Sequence, residues 1–295
     1  MPQLAYFLLG LLALLSLTVW SQVVWRLRSN QPPLPFCARA ENVWSPTAAF
    51  LTALLVARHL NDRVQIEISG KPTTISVDRL PQGILEQLLC VAVLVSFLVW
   101  PRDHRIADFG IRFDQLRRQF MDGVLGFLAS FLPVSLILLA MTPFRNPDTQ
   151  HSFFKLLQQD AGVSTVIWIT VAVVIVAPLS EELMFRVILQ RAFEKWFSPR
   201  WAIVLVAVLF CLGHSWTDSL PLFPLALLFG YVYHRSNSYL SVVIIHALFN
   251  GMMLAMQLLM LPAETETPPE NDKSTVEQIE NDAVASVRPI GSFYE

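Results

Sequence analysis

The chain has 295 residues, of which 54% are hydrophobic and only 15% charged, with a formal net charge of −2 and a mean hydropathy of +0.50. This composition excludes an ordinary soluble domain and indicates an integral membrane protein. The three cysteines, at positions 37, 90 and 211, are scattered and form no CxxC pair. They indicate neither a disulfide framework nor a thiolate metal site.

Apolar runs of about 20 residues predict membrane-spanning helices. Eight runs occur in chain order, the second of them short: 4–20, 47–56, 83–100, 123–141, 164–190, 201–216, 220–233 and 239–261. The first run has no basic residues before it and no small-residue cleavage site near its end, which favours a retained anchor over a signal peptide. We therefore expect an all-α fold, a polytopic transmembrane helix bundle of about eight spans.

The connecting segments carry weaker signals. In the polar loop after the second run, VQIEIS at 64–69 and TTISVD at 73–78 alternate in a way that predicts a small β-hairpin. Residues 105–123 alternate basic and apolar side chains, which is typical of a segment along the membrane surface or of a solvated loop. Residues 142–160 are interpreted as a similar interfacial segment on the other face.

The C-terminal residues 262–295 differ from the rest of the chain. They hold eight acidic and two basic residues with adjacent prolines, which predicts a disordered tail. We accordingly divide the chain into an N-terminal membrane region at 1–160, a core at 161–261 and the acidic tail.

Polar side chains interrupt three of the predicted spans. They are Glu181, Glu182, Arg186, His214, His246 and Asn250. A charged side chain near the bilayer centre costs about 2.5 to 3.5 kcal/mol on insertion scales, so such residues usually face an interior cavity and have a function there. The three interruptions suggest one shared site.

Glu182 and Arg186 are spaced i and i+4, with the acid N-terminal, which favours an ion pair on one helix face. Arg186 would neutralise one carboxylate and leave Glu181 available as a base. Pro178 lies inside the same helical pattern, where it would free a backbone carbonyl, kink the helix and open space beside Glu181.

The histidines lie at comparable depth. A turn centred near Ser198 would place Glu181 and His214 each about 24 to 26 Å along its helix. A turn near Asn237 places His246 and Asn250 somewhat shallower, again as an i, i+4 pair. For one such histidine alone, a helix–helix hydrogen bond is an equally good interpretation.

This set suits hydrolysis of a peptide bond in a catalytic cavity inside the membrane. Glu181 would deprotonate a water, His214 would share it, and His246 with Asn250 would stabilise the oxyanion. Alternatively, Glu181, His214 and His246 could ligate zinc, because Glu, His and His with an open position is a catalytic zinc pattern. No HExxH helix is present, so the metal stays open and no cofactor is certain.

At these residues the chain resembles the CPBP intramembrane proteases, which include the type II CAAX prenyl endopeptidases. The resemblance covers roughly 164–251 and rests on EExxxR beginning at Glu181, FxxxH ending at His214 and HxxxN beginning at His246. It implies that Glu181 is the catalytic glutamate, His214 its partner at the water, and His246 with Asn250 the remaining polar pair. Asn237 stands where relatives often have glycine, and asparagine tolerates the left-handed turn.

The function expected from the residues and the resemblance is an intramembrane endopeptidase. Its partners would be a peptide or lipidated peptide in the bilayer and no nucleic acid, and its location a bacterial inner membrane, as a multi-pass protein. The alternatives are a proton-coupled transporter, disfavoured because no internal repeat is visible, and a non-catalytic scaffold or immunity protein of the same fold.

Overall fold

The computed structural model describes residues 2–38, 43–69, 76–100, 104–144 and 152–260, and within these ranges it contains helices and no strand. The main helices are α1 Pro2–Arg28, α2 Pro46–Ser69, α3 Leu80–Val99, α4 Leu116–Met141, α5 Ser152–Gln159, α6 Val163–Phe193, α7 Pro199–Leu212, α8 Trp216–Ser236 and α9 Tyr239–Met260. The all-α prediction is confirmed. The predicted disordered tail at 262–295 lies outside the described residues.

Each of the eight predicted apolar runs coincides with helix over most of its length. The run 201–216 is the exception in one respect, because α7 ends at Leu212 and His214 lies in the short connection before α8 instead of inside a span. Residue 261 of the last run lies outside the described residues. In the described chain, five helical stretches are long and apolar enough to cross a membrane: Gln3–Arg28, Val77–Val99, Leu116–Phe144, Val163–Phe193 and Tyr239–Met260. Helix α7 is apolar but has only 14 residues. The protein is therefore an integral multi-pass membrane protein, and the exact number of crossings stays a prediction.

The predicted β-hairpin is wrong in its first half. Residues 64–69 form the last turns of α2, which continues from its apolar beginning at Pro46 to Ser69. Extending a helix by one residue adds one backbone hydrogen bond, whereas a new strand needs a partner, and this favours the helix despite the β-branched alternation. Of the second half, 73–75 lie outside the described residues and Val77–Arg79 form a single 3₁₀ turn.

The two predicted surface segments fold differently from each other. In the first, a 3₁₀ turn at Ile106–Phe109 buries Phe109 completely, against the guanidinium of Arg191, before α4 begins at Leu116. This part is anchored in the protein through Phe109, and its position along the membrane surface stays a prediction. In the second, α5 buries Leu156 and Leu157, and residues 145–151 lie outside the described part.

Helices from both sides of residue 160 share one hydrophobic core, which includes Val43, Leu94, Phe127, Phe210 and Phe249. The division of the chain at residue 160 stays a prediction.

Close packing of α4 against α9 fixes the helix that carries His246. Gly123 and Gly126 face Ile244 and Ile245, and a Cβ at either glycine would lie within 2.6 Å of an isoleucine side-chain atom. Only glycine lets the two backbones approach this closely.

Candidate active site

Helix α6 carries three of the predicted residues and is irregular around them. Its hydrogen bonds widen to π turns over Val171–Val176 and again over Leu183–Gln190, with an α-helical stretch Ala177–Glu182 between them. The first π stretch ends two residues before Pro178. The disturbance expected at this proline is present as π turns, which occur frequently at functional sites.

The ion pair predicted from the i, i+4 spacing is present and fully buried. Arg186 Nε lies 3.0 Å from Glu182 Oε2, and neither side chain is exposed. The contact is electrostatic: within the described residues, none of the guanidinium nitrogens meets hydrogen-bond geometry with a protein atom.

Three phenylalanine rings surround the Arg186 guanidinium. Its central carbon lies 5.2 Å from the ring centroid of Phe210, 5.3 Å from that of Phe229 and 6.0 Å from that of Phe185. Cation–π attraction to these rings therefore offsets part of the cost of burying the charge.

His246 joins the two glutamates. Its Nδ1 lies 2.8 Å from Glu182 Oε1, and its Nε2 lies 3.9 Å from Glu181 Oε2. Because a carboxylate oxygen paired with an arginine accepts hydrogen bonds, Nδ1 is the protonated nitrogen and donates a hydrogen bond to Glu182. This bond directs Nε2 toward Glu181. The Glu181 side chain remains 25% exposed, whereas that of Glu182 is inaccessible.

His214 reaches this group through Phe210. Its Nδ1 donates to the Phe210 carbonyl oxygen at 2.9 Å, which leaves Nε2 free to accept a hydrogen bond in the neutral ring. The Phe210 ring centroid lies 4.9 Å from that of His214 and 6.0 Å from that of His246. In the described structure no hydrogen bond or ion pair joins His214 directly to either glutamate.

Asn250 points to the backbone of α6. Its Nδ2 donates to the carbonyl oxygen of Val173 at 2.9 Å. The structure therefore brings Glu181, Glu182, Arg186 and His246 into one contact group, with His214 and Asn250 joined to it through Phe210 and Val173.

The alternative of a zinc ion on Glu181, His214 and His246 finds no preformed site. Among the described residues, no three His, Cys, Asp or Glu side chains are grouped so that they could hold a metal ion. Zinc bound by these three would require the side chains to come closer, since its donors lie about 2.0–2.2 Å from the metal.

Two neighbours from the N-terminal helices were missed in the sequence. His59 Nε2 on α2 lies 3.1 Å from the carbonyl oxygen of Gly213, and Gln87 on α3 donates to the Ser180 hydroxyl at 2.8 Å. Each contact precedes a predicted site residue by one position. A polar residue within the third apolar run was the available signal for Gln87, whereas nothing in the sequence indicated His59.

The turns that set the helix order agree with their predictions. Ser198 precedes α7, and Asn237 between α8 and α9 adopts the left-handed conformation with φ of +48°. The Asn237 side chain also accepts a hydrogen bond from the buried Arg191 at 2.6 Å. This second role explains why asparagine serves here as well as glycine would.

Comparisons with known proteins give a partial match. Residues 163–252 match a family model described as type II CAAX prenyl endopeptidase Rce1-like. A stretch of 86 residues is 36% identical to UPF0177 protein YaiF of Lactococcus lactis subsp. lactis (strain IL1403), and it covers 28% of this chain and 38% of that relative. No solved structure matches the chain. The region 163–252, which holds all six polar residues of the site, is therefore similar to the Rce1-like type II CAAX prenyl endopeptidases.

Proposed function

We propose that the protein is an intramembrane endopeptidase in which Glu181 activates a water molecule to cleave a peptide bond. The observation that carries this proposal is the position of His246 between a buried, paired Glu182 and a partly exposed Glu181. Two carboxylates on adjacent residues thus have different surroundings, as expected when one supports the site and the other reacts.

The 3.9 Å between Glu181 Oε2 and His246 Nε2 suits a bound water. A water about 2.8 Å from each can accept a hydrogen bond from a proton on Nε2 and donate one of its two hydrogens to Oε2. Glu181 would take a proton from this water while the oxygen attacks the substrate carbonyl carbon. It would then pass the proton to the amide nitrogen as the C–N bond breaks, leaving a carboxylic acid and an amine.

His246 supports the charge that develops on the substrate oxygen. The Glu182 carboxylate favours a ring that carries a proton on both nitrogens from the start. Its Nε2 proton is donated in a hydrogen bond first to the water and then to the oxyanion, so the ring neither gains nor loses a proton in the reaction. Arg186 pairs directly with Glu182 from the side away from the reaction. The second amide N–H of Asn250, which the Val173 bond does not use, supplies a further donor.

His214, which packs against the Phe210 ring, is proposed to contribute at the same water. With its proton on Nδ1, its Nε2 accepts a hydrogen bond from the attacking water and helps to orient it. Whether zinc takes part is a separate proposal: Glu181, His214 and His246 would be its ligands, and it would polarise the bound water.

The substrates proposed are peptides in the membrane, with or without a lipid group. The similarity of residues 163–252 to a family of prenyl endopeptidases supports this class. The similar protein is bacterial, which supports a location in a bacterial inner membrane.

A cleavage assay in detergent tests the proposal. The purified protein is incubated with fluorogenic peptide libraries, with and without a C-terminal prenyl group. We expect Glu181→Gln and His214→Ala to reduce kcat by at least about 100-fold, since each removes a group that acts in the transition state. Glu86→Gln, at an exposed glutamate of α3, is the matched control and should cleave like the parent.

Equal cleavage by Glu181→Gln and the parent would remove the basis of the proposal. Absence of any cleavage, together with a proton flux in vesicles that depends on Glu181, would favour the transporter instead.

A further inference from the structure

We propose that Asn250 is a positioning residue, which holds the segment carrying Glu181 by replacing a backbone donor that Pro178 lacks. The importance of this segment for catalysis rests on the proposed function, whereas the hydrogen bond itself does not. The argument starts from the hydrogen-bond register of α6.

In this stretch of α6 the backbone N–H groups bond to carbonyls five residues back. The Ala177 N–H bonds to the Ala172 carbonyl in this way. The next bond in the same register would join residue 178 to the Val173 carbonyl, but Pro178 has no N–H. The Val173 carbonyl is thereby left without its helical donor, and the π stretch ends.

The Asn250 side chain supplies the missing donor. Its Nδ2 lies 2.9 Å from the Val173 oxygen, and because a carbonyl only accepts, the amide nitrogen must face it. An unpaired carbonyl is costly within a membrane, where no bulk water replaces the donor, so this bond also makes the proline tolerable.

Helix α9 donates hydrogen bonds to α6 on both sides of Pro178. Asn250 bonds to Val173 before the proline, and the Tyr239 hydroxyl donates to the Leu179 carbonyl at 2.6 Å after it. Tyr239, His246 and Asn250 are spaced by seven and four residues, which places them along one face of α9.

Glu181 lies only three residues after Pro178. Loss of the Asn250 bond would loosen α6 at the proline and displace the Glu181 carboxylate from His246. Misplacement of a catalytic group by about 1 Å can cost about 100-fold in rate.

The test is a double-mutant comparison of Asn250→Leu and Pro178→Ala, singly and together. Leucine has a similar size but no donor, and alanine at 178 restores a backbone N–H that can bond within α6. We expect Asn250→Leu to lower the Tm by roughly 2–10 °C in the Pro178 protein, and by less than half of that in the Ala variant. We also expect the kcat of the double variant to be at least about tenfold higher than that of Asn250→Leu, with KM little changed.

Pro133→Ala, which removes the proline inside α4, is the matched control and should leave the effect of Asn250→Leu unchanged. If Asn250→Leu fails to fold alone, Asn250→Ala gives the same comparison. Equal Tm losses with Pro178 and with alanine overturn the inference. A smaller Tm loss without recovery of kcat overturns the positioning role. If the parent cleaves nothing, the proposed function fails while the Tm comparison still decides whether the bond exists.

Discussion

Removal of the buried charge on Glu182 should destabilise the protein strongly. In Glu182→Gln, Arg186 keeps its charge and loses its ion-pair partner at 3.0 Å, in a place where both side chains are inaccessible to solvent. Breaking one side of a buried pair costs about 3–5 kcal/mol. With a Tm change of about 2–4 °C per kcal/mol for domains of somewhat smaller size, the expected loss is roughly 6–20 °C.

Thermal unfolding in detergent, followed by the fluorescence of the eight tryptophans, measures this loss. Arg186→Met should lower the Tm by a similar amount. The Tm loss of the double variant should be well below the sum of the two single losses, because no unpaired charge remains. Glu181→Gln, at a side chain that is 25% exposed, should lower the Tm by no more than about 2 °C. A loss below about 2 °C for Glu182→Gln, or strict additivity in the double variant, would refute the reasoning.

Three further outcomes are expected. Gly126→Ala should cost about 1–3 kcal/mol, because its Cβ would lie 2.5 Å from Ile245, whereas Gly83→Ala on α3 meets nothing within 4 Å and should cost nothing measurable by thermal unfolding. The hydrogen bonds from the Thr165 hydroxyl and the Gly162 N–H hold the pKa of Asp160 below its usual range. The Tm difference between the parent and Asp160→Ala should thus be present above about pH 4 and shrink as the pH falls through the folded-state pKa. A Tm difference that is independent of pH would contradict this account. If zinc is required, a chelator should abolish cleavage and added zinc should restore it, whereas unchanged cleavage after dialysis against chelator would exclude the zinc alternative.

The sequence was sufficient for features that depend on local spacing. The i, i+4 rule gave the Glu182–Arg186 pair, and apolar run length located the helices. The tolerance of asparagine for the left-handed backbone conformation predicted the turn at Asn237. Each of these rests on interactions within a few residues of the chain, which a single sequence displays directly.

Features that depend on tertiary contacts could not be obtained in this way. Similar depth does not specify rotation about the helix axis, so the contact of the Phe210 ring with both His214 and His246 was not foreseen. The bond from His246 to Glu182 also needs the relative rotation of two helices. The predicted β-hairpin was wrong because the alternation of side chains was considered without the helix that precedes it.

The π turns of α6 hold an extra residue without changing the side that the helix presents to α9. A π turn joins residues five apart instead of four, so it takes up about one residue more than an α turn. A protein that lost one residue from Val171–Val176 could therefore relax to a regular α-helix while Glu181 and Glu182 stay close to the side that faces His246. A sequence comparison that places a single-residue gap in this stretch thus marks a chain whose helix is regular and whose two glutamates keep their place.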